Sequence, residues 1–284
     1  MKRVLAISGG VDSMVLLDFC MKKYPKDELK VAHFDHGTRP SSNDDYLFVE
    51  KNCKKLGIEF FGKHAKLGEG VSEEKARNAR YEFFFSLLEK NDKLIVAHHL
   101  DDLVESVVIN FLRGTGWRGL AVMNSEKIER PFLGWSKADI LKYAYENKVV
   151  FREDPTNSSG EYLRNRVRFS VRNLDRETKE KILNLRNRQI ELTKEIEKDV
   201  FEIIKKNMKK LDGNKDLFQR DMFFSLDEEV AFEILKKILA EKEIFCTRPQ
   251  LSNFLDAIKT YQPGKFFNLP EDKLVRIDKN TFVL

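Results

Sequence analysis

The chain has 284 residues, 42% of them apolar and 34% charged, with a formal net charge of +5. That length accommodates two domains with a proper core. No run of about 18 apolar residues occurs, which excludes a membrane-spanning helix. Three widely spaced cysteines, Cys20, Cys53 and Cys246, form no C-x-x-C pair. They argue against a zinc or iron–sulfur site and against a disulfide framework. Met1 to Arg3 run straight into a strand and leave no room for a signal peptide, so a cytoplasmic enzyme is expected. The modest basic excess permits nucleic-acid binding without requiring it.

Taken in order, residues 3–8 read as an apolar strand. Ser8-Gly9-Gly10-Val11-Asp12-Ser13 then turns into a helix that stops before Pro25. The helix start offers unpaired N–H groups and a positive dipole end, a cradle suited to phosphate. No lysine follows the glycines, so this is not the G-x-x-x-x-G-K-[ST] loop. A tight capped turn is the alternative reading. A second strand is expected at 29–34, leading into Asp35-His36-Gly37. A helix follows, capped by Ser41 or Ser42 and closed at Gly57, then a third strand at 58–62. Ser72 caps a helix to about Asn91, residues 94–97 form a fourth strand, and a helix starts near Asp101. This alternation predicts a doubly wound α/β domain with a mostly parallel sheet. Ligands in such folds lie beyond the carboxyl ends of the strands, which is where the loop, the 33–36 segment and the 98–102 segment fall.

Further on, Lys127 to Phe132 read as extended. Ser136 with Asp139 marks an N-cap and its N3 carboxylate, and Val149 to Phe151 read as a fifth strand. A helix over 162–174 carries Arg164, Arg166, Arg168 and Arg172. The composition changes near 176. The expected division is a catalytic domain over 1–176 and a smaller, mainly helical domain over 177–284. The second comprises a long charged helix over 177–210, helices at 226–242 and 249–260, and a β-hairpin within 265–284.

Three constellations carry candidate chemistry. His98-His99-Leu100-Asp101-Asp102 and Glu105 sit at a strand end and helix start. Their carboxylates suit either a helix cap or a magnesium ion beside phosphates. Arg77 and Arg80 share a helix face, either bridging nearby glutamates or contacting a nucleotide. The arginine helix around Arg164, Arg166 and Arg168, with Lys205, Lys206, Lys209 and Lys210 beyond it, reads as a solvated face or as a phosphate-backbone contact.

Eight segments, in this order, closely resemble the tRNA(Ile)-lysidine synthetase family of ATP pyrophosphatases. They are S-G-G-V-D-S (8–13), H-F-D-H-G-T-R (33–39), E-K-A-R-N-A-R-Y (74–81), A-H-H-L-D-D-L-V-E-S (97–106), R-G-T-G-W-R-G-L (113–120), R-P-F-L (130–133), and E-D-P-T-N with R-N-R-V-R (153–157 and 164–168). The resemblance covers about residues 1–175, and the tail resembles the family far less. It implies that ATP adenylates O2 of the cytidine at the first anticodon position of a tRNA-Ile with anticodon CAU. The ε-amine of free L-lysine then attacks C2 and displaces AMP. It implies ATP binding by Ser8, Gly9, Gly10, Val11, Asp12, Ser13, Arg77 and Arg80. It implies catalytic roles for Asp12, Asp102, Glu105 and Arg168, with Mg²⁺ on Asp102. It implies contacts to the substrate or tRNA by His98, His99, Arg113, Arg164 and Arg166. A homodimer is compatible with it, and no membrane is involved. The alternatives are a tRNA 2-thiolating pyrophosphatase, which usually needs paired cysteines, and a catalytically silent RNA-binding module.

Overall fold

In a computed structural model of the chain, residues 1–37, 42–65, 71–152, 163–211 and 215–284 are described. They fall into two compact units, Met1–Ile190 and Glu191–Leu284. The first is built on strands β1 (Arg3–Ala6), β2 (Leu29–Asp35), β3 (Glu59–His64), β4 (Lys93–Ile95) and β5 (Ile128–Glu129). They pair in parallel in the order β3-β2-β1-β4-β5. β1 is central, and the order reverses direction there, where a crevice opens between neighbouring loops.

Adjacent residues of β1 point to opposite faces, and both faces are covered. Leu5 packs with Met14 and Leu16 of α1 (Val11–Lys23), Val49 of α2 (Ser42–Leu56) and Ile140 of α5 (Lys137–Glu146). Val4 packs with Phe84 of α3 (Glu73–Ser86). A further apolar cluster joins Leu100, Leu103 and Val104 of α4 (Leu100–Leu112) to Val167 and Val171 of α6 (Leu163–Arg172). Ile182 and Leu183 of the long helix α7 (Arg176–Asn207) pack against the same cluster. The first unit therefore extends through the start of α7, to Ile190, rather than ending at 176.

Ser72 caps α3 by accepting from the Lys75 N–H, and Ser136 with Asp139 forms a reciprocal cap on α5. One expected strand is absent. Residues 149–151 are not in the sheet, whose outer strand beyond β4 is Ile128–Glu129. The 149–152 segment instead runs beside the first loop, where the Arg152 N–H donates to the Gly9 carbonyl at 3.0 Å. A run of apolar residues shows that a segment is buried, and a backbone partner decides whether it is a strand. Ser41, the 153–157 segment and part of the 33–39 segment lie outside the described residues.

The second unit is the mainly helical one expected, with a five-stranded sheet where a single hairpin was expected. Strands β6 (Met208–Leu211), β7 (Lys215–Gln219), β8 (Lys265–Leu269), β9 (Lys273–Ile277) and β10 (Thr281–Val283) form an antiparallel sheet in the order β6-β7-β10-β9-β8. Helices α8 (Glu228–Ala240) and α9 (Arg248–Thr260) pack against it through Phe232, Leu235, Phe254 and Ile258. The buried Arg220 guanidinium donates to the carbonyls of Ile258, Tyr261 and Asp278. Residues 208–210 are expected to end the charged helix, and 215–216 to belong to the turn after it. Pairing of β7 with β10, remote in the chain, and of β6 with β7 draws 208–211 and 215–219 into the sheet instead.

Candidate active site

A cleft of about 470 Å³ opens at the carboxyl ends of β1, β2 and β4. Its walls include Ser8, Asp12 and Ser13 from the first loop, His33 and Asp35 from β2, and Arg80 from α3. His98 just before α4, Asp102 in its first turn and Arg168 from α6 are further polar groups of the wall.

The loop owes its shape to two residues. Gly9 has φ +94°, a conformation that side chains disfavour. Ser13 is buried and laces the turn: its Oγ accepts from the N–H groups of Ser8 and Gly9, both at 3.1 Å, and donates to the Gly10 carbonyl at 2.8 Å. Ser13 is one of the residues that the resemblance assigns to ATP binding. Its hydroxyl is here spent on holding the loop, and Ser8 Oγ donates to it as well. Arg152 anchors the loop further, with its Nε on Asp45 Oδ1 at 2.7 Å.

Asp12 opens α1, and its Oδ1 pairs with Lys137 Nζ at 2.5 Å. The His99 imidazole is buried among three carboxylates. Its Nε2 lies 3.5 Å from Asp102 Oδ2 and 4.0 Å from Asp12 Oδ1, and its Nδ1 lies 3.8 Å from Asp101 Oδ2. Asp102 does cap its helix, since Oδ2 accepts from the His99 N–H at 3.0 Å. It also lines the cleft.

Asp101 faces the other way. Its Oδ2 accepts from the Lys137 N–H at 2.8 Å and its Oδ1 pairs with Lys179 Nζ of α7 at 2.5 Å. Burial pushes its carboxyl up, but the Lys179 ammonium and the Lys137 N–H outweigh that and hold it below the usual range. Breaking a buried pair leaves an uncompensated charge. Asp101→Asn is therefore expected to cost about 3–5 kcal/mol, read as a lowered urea midpoint. The stabilisation from this depressed carboxyl is present above the ordinary value of 3.8 and is lost as pH falls through the folded value.

His98 is neutral. Burial pushes its pKa down to about 4, and its Nδ1 accepts from Arg130 Nε at 3.4 Å. Nε2 is then the protonated nitrogen. The folded value lies below the ordinary 6.5, so the unfolded chain takes up this proton first. Stability is expected to fall as pH drops from 6.5 towards 4, and His98→Asn should flatten that part of the profile.

Arg168 lines the cleft, and its Nε donates to Glu105 Oε1 at 3.0 Å. The Glu105 side chain is only 4% exposed and is not part of the cleft wall. Arg80 reaches the wall and Arg77 does not, although both guanidinium groups lie over the Tyr81 ring, at 5.7 and 5.5 Å. Arg113 caps the far end of α4 and Arg166 projects from α6, both exposed and outside the cleft wall. Arg164 belongs to α6, and its side chain lies outside the described residues. Gly9, Gly10 and Val11 belong to the loop but not to the cleft wall.

Sequence reasoning missed Lys137, Arg152 and Lys179. The Ser136–Asp139 cap placed the start of α5, but no local signal says that Lys137 would meet Asp12. Cys20 and Cys53 are buried away from the cleft, and burial pushes both thiols up to about 12.

The donor set suits a hard divalent cation. Asp12 and Asp102 present carboxylate oxygens to one cleft, and Mg²⁺ takes one or two such groups together with phosphate oxygens and water. Among the described residues no group of three or more His, Cys, Asp or Glu side chains forms a metal site. Phosphates would therefore have to complete the coordination. No helix among the described residues is long and apolar enough to cross a membrane.

Comparison with known proteins agrees with this geometry. A tRNA(Ile)-lysidine synthase of Legionella pneumophila is 38% identical over 60% of this chain and 41% of its own length. The bifunctional protein TilS/HprT of Listeria monocytogenes is 30% identical over 96% of this chain and 46% of its own. The chain thus spans about half the length of these curated relatives, and the second match runs on through the unit beyond residue 190. The solved structure of the U34-tRNA thiolase NcsA from Methanococcus maripaludis, with its [4Fe-4S] cluster, has a TM-score of 0.54 at 21% identity. It covers 68% of this chain and 72% of that one, a likeness of fold. The PP-loop domain model matches residues 1–174, the stretch that supplies every wall of the cleft, and the chain belongs to the PP-loop domain family.

Proposed function

We propose that this chain is an ATP-dependent tRNA-modifying ligase that converts cytidine to lysidine. In this reading O2 of the cytidine attacks the α-phosphorus of ATP and pyrophosphate leaves. The ε-amine of free L-lysine then attacks C2, loses a proton, and displaces AMP, which carries O2 away. The observation that supports it is the convergence on one cleft of the Ser8–Ser13 loop, Asp102 and Arg168. The relatives named tRNA(Ile)-lysidine synthase share this half of the chain.

Each residue has a role that the physics permits. The loop and the α1 N-terminus hold the phosphates, and Arg80 takes the nucleotide side. Asp12 and Asp102 would hold Mg²⁺, which when bound would neutralise phosphate charge. A free lysine amine has a pKa of about 10.4 and arrives as an ammonium; Asp102 is one of the carboxylates on the wall that can hold it and take the proton it must lose before it attacks. Arg168 stabilises charge developing on the adenylated base. Glu105 orients it from behind rather than touching substrate. Neutral His98 can donate from Nε2 without adding positive charge.

A tRNA substrate must present its target base splayed out of the anticodon loop. Arg113, Arg164 and Arg166 are assigned to its backbone. Lys205 and Lys206 at the end of α7, with Lys209 and Lys210 on β6, are assigned to the tRNA body; all four are exposed. Reversing those four charges should weaken tRNA binding. It should flatten the salt dependence by about one counterion or slightly less per lost contact, with ATP and lysine affinities unchanged. Identical salt slopes for both proteins would return α7 to a solvated helix.

Thiolation through cysteines at the site finds little support, because no cysteine lines the cleft. Mass spectrometry of nucleosides from tRNA incubated with the protein, ATP and lysine tests the whole reading. The expected product is lysidine. A 2-thiolated base, or unchanged cytidine despite pyrophosphate release, would overturn it.

A further inference from the structure

The phosphate loop presents a charge problem. A triphosphate brings several negative charges, and a loop of the G-x-x-x-x-G-K-[ST] type meets them with the lysine after its glycines. This loop has Val11 and Asp12 there instead. Two of its amide donors, those of Ser8 and Gly9, are engaged by Ser13. A cation near the loop must therefore come from elsewhere in the chain.

Lys137 is placed for that. It is the first residue of α5, directly after the Ser136 cap. Its backbone is fixed by the bond from its N–H to Asp101 Oδ2 at 2.8 Å. The residue before the cap is tied down as well, by the Leu100 N–H on the Trp135 carbonyl at 2.8 Å. The side chain reaches the loop, with Nζ 2.5 Å from Asp12 Oδ1. Both partners keep access to solvent: Lys137 is 42% exposed and Asp12 34%. A rigid backbone beneath a half-exposed ammonium, held by one carboxylate contact, can exchange that partner at little cost.

We propose that Lys137 is a phosphate-binding residue of the loop, which turns from Asp12 onto an oxygen of the triphosphate or of pyrophosphate when that ligand is bound. No covalent bond changes. One charge-assisted pair, ammonium to carboxylate, is exchanged for another, ammonium to phosphate. The exchange frees Asp12 Oδ1 for a cation. Lys137 thus does across space what the lysine of a G-x-x-x-x-G-K-[ST] loop does within its own loop. The inference rests on the reading of the loop as an ATP site.

The competing role is purely positional, with Lys137 only fixing the Asp12 carboxylate. Calorimetric titration of the full chain with inorganic pyrophosphate separates the two. Lys137→Met should weaken pyrophosphate binding by about 10- to 100-fold, the range for losing a hydrogen bond to a charged group. Lys137→Arg should recover most of it, since guanidinium also binds phosphate. The deciding comparison is made in Asp12→Asn, where no carboxylate remains to be positioned. Adding Lys137→Met to that variant should still lower pyrophosphate affinity by a similar factor. Equal affinities of Asp12→Asn and the double variant, or of Lys137→Met and the wild type, would overturn the proposal. A wild-type chain that binds neither ATP nor pyrophosphate would instead overturn the reading of the loop itself. A urea midpoint matching the wild type shows that Lys137→Met is folded, as expected when the Asp101 contact uses only the backbone of residue 137.

Discussion

Asp12→Ala is expected to abolish adenylation while leaving the fold intact. The residue starts α1 with its carboxylate on the cleft wall, paired with Lys137 and 4.0 Å from His99 Nε2. No backbone hydrogen bond of the loop depends on its side chain; the laces belong to Ser13. Truncation therefore removes little packing and no cap. It leaves Lys137 without its carboxylate and the phosphates without one of the two cleft carboxylates assigned to the cation. Loss of a charged catalytic group of this kind costs about 10²–10⁴-fold in rate, and the upper part of that range is expected. Pyrophosphate exchange into ATP reads it directly. Exchange within a few-fold of wild type would remove Asp12 from the chemistry.

Asp102→Asn tests the second carboxylate and separates two jobs that one side chain performs. The bond from the His99 N–H to Asp102 Oδ2 caps α4. The asparagine amide oxygen can accept that bond, so the helix start should persist, with at most about 1 kcal/mol lost. What disappears is the charge facing the cleft. If Asp102 receives the lysine ammonium and a cation, turnover should fall by about 10²–10⁴-fold, and added Mg²⁺ should restore part of it. Normal turnover with a slightly lowered urea midpoint would leave Asp102 as a cap and nothing more. Asp101→Asn is the natural control one residue away. Its carboxylate holds Lys179 and the start of α5, so it should lose stability first and rate only in consequence.

The sequence by itself determined what depends on near neighbours along the chain. The S-G-G-V-D-S turn, the Ser72 cap, the Ser136–Asp139 box and the order of strands and helices over the first 112 residues are local matters. They follow from glycine's conformational freedom, from cap chemistry and from apolar periodicity. The rule that ligands lie at the strand ends brought the loop, the β2 end and the β4 end to one edge, and the cleft is there. Tertiary structure alone decided which side chains meet. Lys137 reaches Asp12, Arg168 lies on buried Glu105, Lys179 on Asp101, and Arg152 on Asp45. Such pairs join elements remote in the chain and leave no periodic trace in it. They also sorted Arg80 onto the wall and Arg77 off it, a difference that equal spacing on one helix cannot show. In the second unit the same limit appears in the backbone. Strands of three to five residues become a sheet only when β7 finds β10, and no local pattern in either strand names the other.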